Sequence, residues 1–118
     1  MDTAPFQRML EAQRADIANT LGAISERLRS SQGESGGELS LADQHPADAA
    51  TETEEREMDL ARHQLFEAHL ARIDAALARI TKGTYGTCRA CGQQIPWERL
   101  EVIPDTPYCV RDAAKEER

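Results

Sequence analysis

A chain of 118 residues is long enough for one small domain with an appendage, and an aromatic content of 4% excludes a large aromatic core. The formal net charge of −7 is concentrated between Arg29 and Leu60, where nine acids accompany a single base, Arg56. Because like charges repel, this acidic segment excludes a phosphate-binding surface there and suits a basic or metal-bearing partner.

The sequence shows no signal peptide and no apolar run that approaches the length of a membrane span. Its three cysteines are an odd number, which does not suit a disulfide framework. Together these features predict a cytoplasmic protein with reduced thiols and no membrane partner.

The first predicted element is a helix from residue 3 to about residue 31. Thr3 is a plausible N-cap, and Pro5 falls in the first turn, where its missing N–H is tolerated. Apolar residues recur at three- and four-residue steps and therefore line one face; they are Leu10, Ile17, Leu21, Ile24 and Leu28. From Ser30 to Pro46, glycines and serines interrupt this pattern and predict a mobile connection.

A second helix is predicted to begin between residues 47 and 51 and to end near Lys82, with Gly83 as its C-cap. Its apolar face has a heptad-like rhythm, formed by Phe66, Leu70, Ile73, Leu77 and Ile80. Neither face is stable in water by itself, so we expect an antiparallel two-helix hairpin, an arm about 45 Å long. An intermolecular bundle is the alternative, since heptads do not fix the oligomeric state.

The predicted fold is therefore dominated by α-helix. Residues 1–82 form the coiled-coil hairpin, with an acidic tip loop at about residues 31–50. Residues 83–118 form a small zinc-ribbon-like finger and a short C-terminal helix that begins near Ala113.

The finger is predicted from two cysteine knuckles. Cys88 and Cys91 form a Cys-x-x-Cys pair, and Cys109 opens a second knuckle whose fourth position is Asp112. Two such pairs separated by about 15–20 residues are typical of a structural zinc ribbon. Thiolates suit zinc because they are soft and charged, and a carboxylate oxygen is also a permissible zinc ligand.

Histidines are not expected to complete this site. His69 lies about 20 Å along the helix from its end, and His63 and His45 are farther. Two interpretations remain: zinc held by Cys88, Cys91, Cys109 and Asp112, or a metal-free knuckle held by packing. In the second case a mini-core would have to form from Ile95, Trp97, Leu100, Val102, Ile103 and Tyr108, and in either case we expect Trp97 to anchor the core of the finger.

Two other interpretations of the cysteines are less well supported. A redox Cys-x-x-Cys pair is expected near a βαβ pattern, and this sequence contains none. A catalytic zinc with an open coordination position requires a surrounding pocket, and the sequence does not indicate one.

Three motifs together resemble the DksA/TraR family of bacterial transcription regulators. They are residues 83–92 (GTYGTCRACG), residues 95–101 (IPWERLE) and the pair Tyr108-Cys109. Residues 37–40 (GELS) and 45–52 (HPADAATE) are similar to the tip region of the short, DksA-like members. The resemblance covers about residues 37–112 by motif, and the first helix by architecture only.

The resemblance implies a regulator that is not an enzyme. Family members bind RNA polymerase without contacting DNA, and their coiled-coil arm enters the secondary channel to modulate initiation. The family tip motif is Asp-x-x-Asp-x-Ala: Asp48 and Ala50 match its second Asp and its Ala, His45 occupies the first Asp position, and Asp43 lies nearby. An acid such as Asp48 also favours a helix start by itself.

Some family members also bind guanosine tetraphosphate through basic residues. The resemblance places Arg72 at one such position, but Leu65 and Ala113 at others. A polyphosphate needs several cations, so strong binding is not expected. Besides a monomeric polymerase-binding regulator, two function classes remain: an acidic coiled-coil adaptor for another protein, with the finger as a clip, and a nucleic-acid-binding zinc ribbon, which the charge disfavours.

Overall fold

The computed structural model describes residues 2–35 and 46–116, with side chains for residues 2–30 and 51–116. The described chain contains helices α1 (Ala4–Ser35), α2 (Pro46–Lys82), α3 (Trp97–Val102) and α4 (Val110–Glu116). β structure in these residues is limited to one antiparallel bridge between Thr87 and Gln94. The predicted fold class, mostly helical with two long helices and a C-terminal finger, is confirmed. In the part of the chain described, no helix combines the length and apolar character that crossing a membrane requires.

Helix α1 begins where the sequence predicted but ends later. The backbone carbonyl of Thr3 accepts a hydrogen bond from Gln7 N–H at 2.8 Å, so Thr3 is the residue before the helix. The Asp2 carboxylate, which the sequence analysis did not single out, accepts from Ala4 N–H at 3.0 Å. The helix continues to Ser35 rather than stopping near residue 31, because one glycine in a helix costs only about 1 kcal/mol and does not end it.

Helix α2 ends at a glycine, as predicted. Gly83 has a φ of 82°, a left-handed conformation that glycine adopts without a side-chain clash. Its N–H donates to the Ile80 carbonyl at 3.2 Å, and Thr84 N–H donates to the Arg79 carbonyl at 2.9 Å. This pair of bonds is a Schellman motif, which satisfies carbonyls that the helix end would leave unpaired.

The chain forms two compact units, and the first comprises Ile17–Ala68. Within it, Ser25 Oγ lies 3.1 Å from His63 Nε2, and Arg27 donates to both carboxylate oxygens of Asp59 at 2.9 and 3.0 Å. Residue numbers rise along α1 as those of their partners fall along α2, so the two helices are antiparallel in this unit. The hydrogen bonds from Arg27 lower the pKa of Asp59.

The apolar faces predicted for this unit are turned inward. Ile17 and Ile24 are buried, and Leu21, Leu28 and Phe66 are partly buried. The periodicity of the sequence therefore identified the faces through which the two helices pack, because residues three and four apart share one side of a helix.

The second unit comprises Met1–Asp16 and His69–Arg118. Leu10 and Ile73 are fully buried in it, as the sequence predicted. The sequence analysis missed the contact between Phe6 and Tyr85, whose ring centroids lie 5.7 Å apart at an interplanar angle of 41°. A tilted aromatic pair of this kind adds about 0.5–1.5 kcal/mol beyond the apolar area it buries.

Two glycines give a matched test of this backbone. Gly22 is exposed within α1, and a Cβ built there meets no atom within 4 Å, so Gly22→Ala is expected to raise the free energy of unfolding by about 1 kcal/mol. A Cβ at Gly83 also has space, but the positive φ is unfavourable for alanine, so Gly83→Ala is expected to cost about 1–2 kcal/mol. Urea unfolding measures whether the free energy of unfolding rises in Gly22→Ala and falls in Gly83→Ala. Equal effects in the two variants would contradict the assignment of Gly83 as a left-handed cap.

Candidate metal centre

The first knuckle is a tight turn between two short extended segments. Cys88 N–H donates to the Gln93 carbonyl at 2.8 Å, and Gly92 N–H donates back to the Cys88 carbonyl at 3.0 Å. Gly86 and Gly92 have φ angles of 88° and 76°, so both occupy the left-handed region that glycine adopts without a side-chain clash. This geometry holds the Cys88 and Cys91 side chains at one end of the turn.

The second knuckle is the start of α4. Cys109 directly precedes the helix, and its carbonyl accepts from Ala113 N–H at 2.9 Å. Asp112 lies in the first turn, where a carboxylate is also favoured by the helix dipole. Arg89 N–H donates to the Pro107 carbonyl at 2.9 Å and so joins the two knuckles.

Hydrogen bonds behind the knuckles fix the intervening chain. Arg99 Nε donates to the Tyr108 carbonyl at 3.1 Å, and the Thr106 hydroxyl donates to the same carbonyl at 3.0 Å. The Tyr85 hydroxyl donates to the Pro104 carbonyl at 2.8 Å, and burial raises the pKa of Tyr85 to about 12. These bonds hold the residue that precedes Cys109 in one position.

The core of the finger is smaller than the sequence predicted. Ile95 and Leu100 are buried, and Tyr108 is partly buried. The expectation that Trp97 anchors this core is wrong: its side chain is 52% exposed. Val102 and Ile103, which a metal-free finger would need in the same core, are exposed as well. The physical reason is the orientation of α3 about its own axis. A helix of six residues can turn only one side towards the core, and α3 turns the side that carries Leu100.

Four side chains converge between the knuckles. One ligand atom each from Cys88, Cys91, Cys109 and Asp112 lies within 4.8 Å of the others. The Cys91 and Cys109 sulfurs are 3.9 Å apart, and Asp112 Oδ2 is 3.1 Å from the sulfurs of both Cys88 and Cys109. Two sulfurs each about 2.3 Å from a tetrahedral zinc would be about 3.8 Å apart. The donor set and its spacing therefore fit zinc.

Burial and charge distinguish the members of this cluster. Cys88 and Asp112 are buried, whereas Cys109 is partly exposed. Hydrogen bonds from the thiols of Cys88, Cys91 and Cys109 hold the pKa of Asp112 well below its usual range. In the metal-free finger this carboxylate therefore adds stability above its ordinary pKa while the thiols keep their protons, and that stability is lost as the pH falls through the depressed value.

The pKa values of the Cys88 and Cys91 thiols shift in opposite directions. The hydrogen bond to Asp112 raises the pKa of Cys91 to about 11. Burial raises the pKa of Cys88, but hydrogen bonds from the backbone N–H groups of Cys109, Cys91 and Ala90 outweigh it and lower the pKa overall. Zinc binds thiolates, so metal binding releases the protons that these thiols hold.

Histidine does not take part in the metal cluster found among the described residues. His69 Nε2 instead lies 3.5 Å from Asp105 Oδ2, and Arg72 Nε donates to the same buried oxygen at 3.3 Å. The sequence analysis missed Asp105, because only the tertiary fold brings it to α2. Of the tip residues, Asp48 and Ala50 lie at the start of α2, while Asp43 and His45 lie outside the described residues.

Comparisons with known proteins agree with this geometry. Residues 83–118 match the family model for the prokaryotic DksA/TraR C4-type zinc finger. The chain is 32% identical over 65 residues to the RNA polymerase-binding transcription factor DksA of Haemophilus influenzae, which covers 55% of this chain and 45% of that protein. Its fold is similar to that of transcription factor DksA2 from Pseudomonas aeruginosa, with a TM-score of 0.74 and 26% identity, over 95% of this chain and 80% of the other. Residues 83–118 therefore form a finger of the DksA/TraR type, and the chain as a whole is similar to DksA proteins.

Another relative is the Bacillus subtilis protein YteA, which is 43% identical over 89 residues, or 72% of this chain. The chain spans only 37% of the length of YteA, and less than half of Haemophilus DksA. The finger belongs to a zinc-binding type, so zinc is its metal. In a C4 finger four cysteines hold the metal; here the position of the fourth is occupied by Asp112.

Proposed function

We propose that this protein is an RNA polymerase-binding transcription regulator that inserts its coiled-coil arm into the secondary channel and modulates initiation. Its finger of the DksA/TraR type and its likeness to DksA support this proposal, since the Haemophilus relative is named for polymerase binding. We propose further that it acts in the cytoplasm as a monomer, without binding DNA directly.

The antiparallel pairing of α1 and α2 within Ile17–Ala68 is the observation that carries this proposal. It returns the chain on itself and makes the acidic segment between the helices the connection of a hairpin. We propose Asp48 and Ala50, with Asp43 and His45, as the tip that faces the polymerase active centre. Carboxylates presented there would act on a basic, magnesium-bearing site through charge.

The fourth ligand of the finger is part of the proposal. We propose that Cys88, Cys91, Cys109 and Asp112 together hold the zinc, because all four donor atoms converge within 4.8 Å. Zinc would join the two knuckles and so stabilise the finger, residues 83–118, which forms one compact unit with residues 1–16 and 69–82 of the proposed hairpin of residues 1–82.

A non-enzymatic role is consistent with the surroundings of Ser25, His63 and Glu67, which lie in a row like that of a catalytic triad. Ser25 Oγ lies 3.1 Å from His63 Nε2, and His63 Nδ1 lies 2.7 Å from Glu67 Oε1. Ser25 is in the interior of α1, however, where backbone N–H groups are bonded within the helix and cannot form an oxyanion hole. The row is better explained as a contact that joins α1 to α2.

We do not propose strong binding of guanosine tetraphosphate at the family position. Arg72 is already paired with Asp105, and Leu65, which is 71% exposed, offers no charge. Ala113 cannot contribute a cation either. A polyphosphate at this place would meet one arginine whose charge is partly neutralised.

Direct binding tests the proposed function. The purified chain should bind bacterial RNA polymerase core enzyme in a sedimentation or interferometry experiment, and should change the yield of transcripts from isolated promoters. Binding without a transcriptional effect would favour the acidic adaptor. Absence of binding would refute the polymerase role, and a salt-sensitive shift of DNA by the protein alone would indicate a nucleic-acid-binding ribbon.

A further inference from the structure

Helix α3 turns one side inward and leaves the other side exposed. Leu100 is fully buried, and Arg99 is held by its hydrogen bond to the Tyr108 carbonyl. Trp97 and Val102 are 52% and 80% exposed. Trp97 therefore presents about half its surface to water, on a helix that is fixed from behind, and it is available for contact with a partner.

The exposed residues of α3 form one face. At 3.6 residues per turn, Trp97 and Glu101 are neighbours one turn apart, and so are Glu98 and Val102. All four are exposed, while Leu100 is on the opposite side. Among the described side chains, those of residues 2–30 and 51–116, no cation forms an ion pair with Glu98 or Glu101. We call Trp97, Glu98, Glu101 and Val102 the α3 patch.

We infer that the α3 patch is a docking surface for a basic segment of RNA polymerase, in which lysine or arginine side chains surround an apolar pocket that receives Trp97. This inference rests on the proposed function and specifies a contact made by the finger. Tryptophan is among the residue types that contribute most to binding at protein interfaces. The carboxylates of Glu98 and Glu101 beside it complement positive charge and repel negative charge.

Charge also separates this partner from the other candidates. A second copy of the chain docked on the same patch would bring four carboxylates together, two from each copy, and like charges at an interface are unfavourable. Nucleic acid would place phosphates against Glu98 and Glu101. An anionic membrane surface is disfavoured for the same reason. A cationic protein surface can contact the Trp97 ring and is complementary in charge to Glu98 and Glu101.

The experiment uses the full chain, whose only tryptophan is Trp97. Replacing it biosynthetically with 5-hydroxytryptophan allows excitation of this residue in the presence of the polymerase's own tryptophans. Addition of polymerase core enzyme is expected to protect the label from acrylamide quenching. Trp97→Ala is expected to weaken binding about 30-fold, as for a residue at the centre of an interface.

Two charge variants of equal net charge complete the test. Glu98→Gln with Glu101→Gln is expected to weaken binding about 5-fold at low salt, with a smaller effect at high salt. Glu11→Gln with Glu116→Gln removes the same charge from exposed positions outside the patch and should leave affinity unchanged. Zinc content and circular dichroism should remain those of the wild type, because the substituted side chains are exposed.

The outcomes separate this inference from the proposed function. If the wild type binds polymerase but Trp97→Ala binds equally well and the label stays accessible, the α3 patch is not the contact and only this inference fails. If the control pair weakens binding as much as the patch pair, the net charge of the protein explains the effect and the α3 patch does not. If the wild type does not bind polymerase, both proposals fail.

Discussion

Replacing Cys109 by serine is expected to lower the zinc content of the purified protein from about one ion per chain towards zero. The Cys109 sulfur lies 3.9 Å from that of Cys91 and 3.1 Å from the Asp112 carboxylate, so it joins the two knuckles. A structural zinc in a small finger contributes about 10–16 kcal/mol of apparent binding free energy, which is also folding free energy. Loss of the metal should therefore unfold the finger.

The measurement is metal analysis of protein purified without added zinc, together with the heat-induced unfolding of the finger. Val110→Ala is the matched control, because Val110 is the next residue and its side chain is 63% exposed. It should keep its zinc. Full zinc occupancy in Cys109→Ser would show that the metal is held elsewhere, and the ligand assignment would have to be abandoned.

Asp112 can be tested in both directions. Asp112→Ala is expected to release zinc at a lower chelator concentration than the wild type, since one ligand is removed. Asp112→Cys supplies a fourth thiolate and is expected to retain zinc against more chelator than the wild type, because thiolate is the softer and more favourable zinc ligand. An unchanged chelator midpoint in Asp112→Ala would remove Asp112 from the ligand set.

The sequence predicted those parts of the fold that depend on local chemistry. Gly83 marked the end of α2 because only glycine adopts its left-handed conformation without strain. The three- and four-residue spacing identified the buried positions Leu10, Ile24 and Ile73. The spacing of the cysteines predicted a cluster, and it is found because each knuckle is a short turn whose geometry depends on a few neighbouring residues.

Features that depend on contacts between distant residues were not predictable in this way. Phe6 and Tyr85 are separated by almost the whole of both long helices, and no local pattern links them. Asp105 was overlooked because its role depends on Arg72 and His69, which only the folded chain brings close. Trp97 was misassigned because residue type suggested burial, whereas the phase of a six-residue helix decides which side chains are covered.

Replacing Asp48 by asparagine is expected to abolish the effect of the protein on transcription while leaving its affinity for polymerase within about 2-fold of the wild type. Asparagine keeps the size of the side chain and removes its charge. The helix contacts made within Ile17–Ala68, such as those of Arg27 with Asp59, are untouched by the change. If the charge at the tip acts on the active centre, binding and regulation should separate in this variant.

The control is Glu54→Gln, which removes one acidic charge from the exposed surface of the same helix, more than one turn farther along α2. It should retain the transcriptional effect, because the helix carries that position away from the tip. Asp48 near the start of α2 could also act only through the helix dipole, which is worth about 0.3–1 kcal/mol of stability. In that case Asp48→Asn would lower the unfolding temperature slightly and leave transcription unchanged, and the active-centre role of the tip would be refuted.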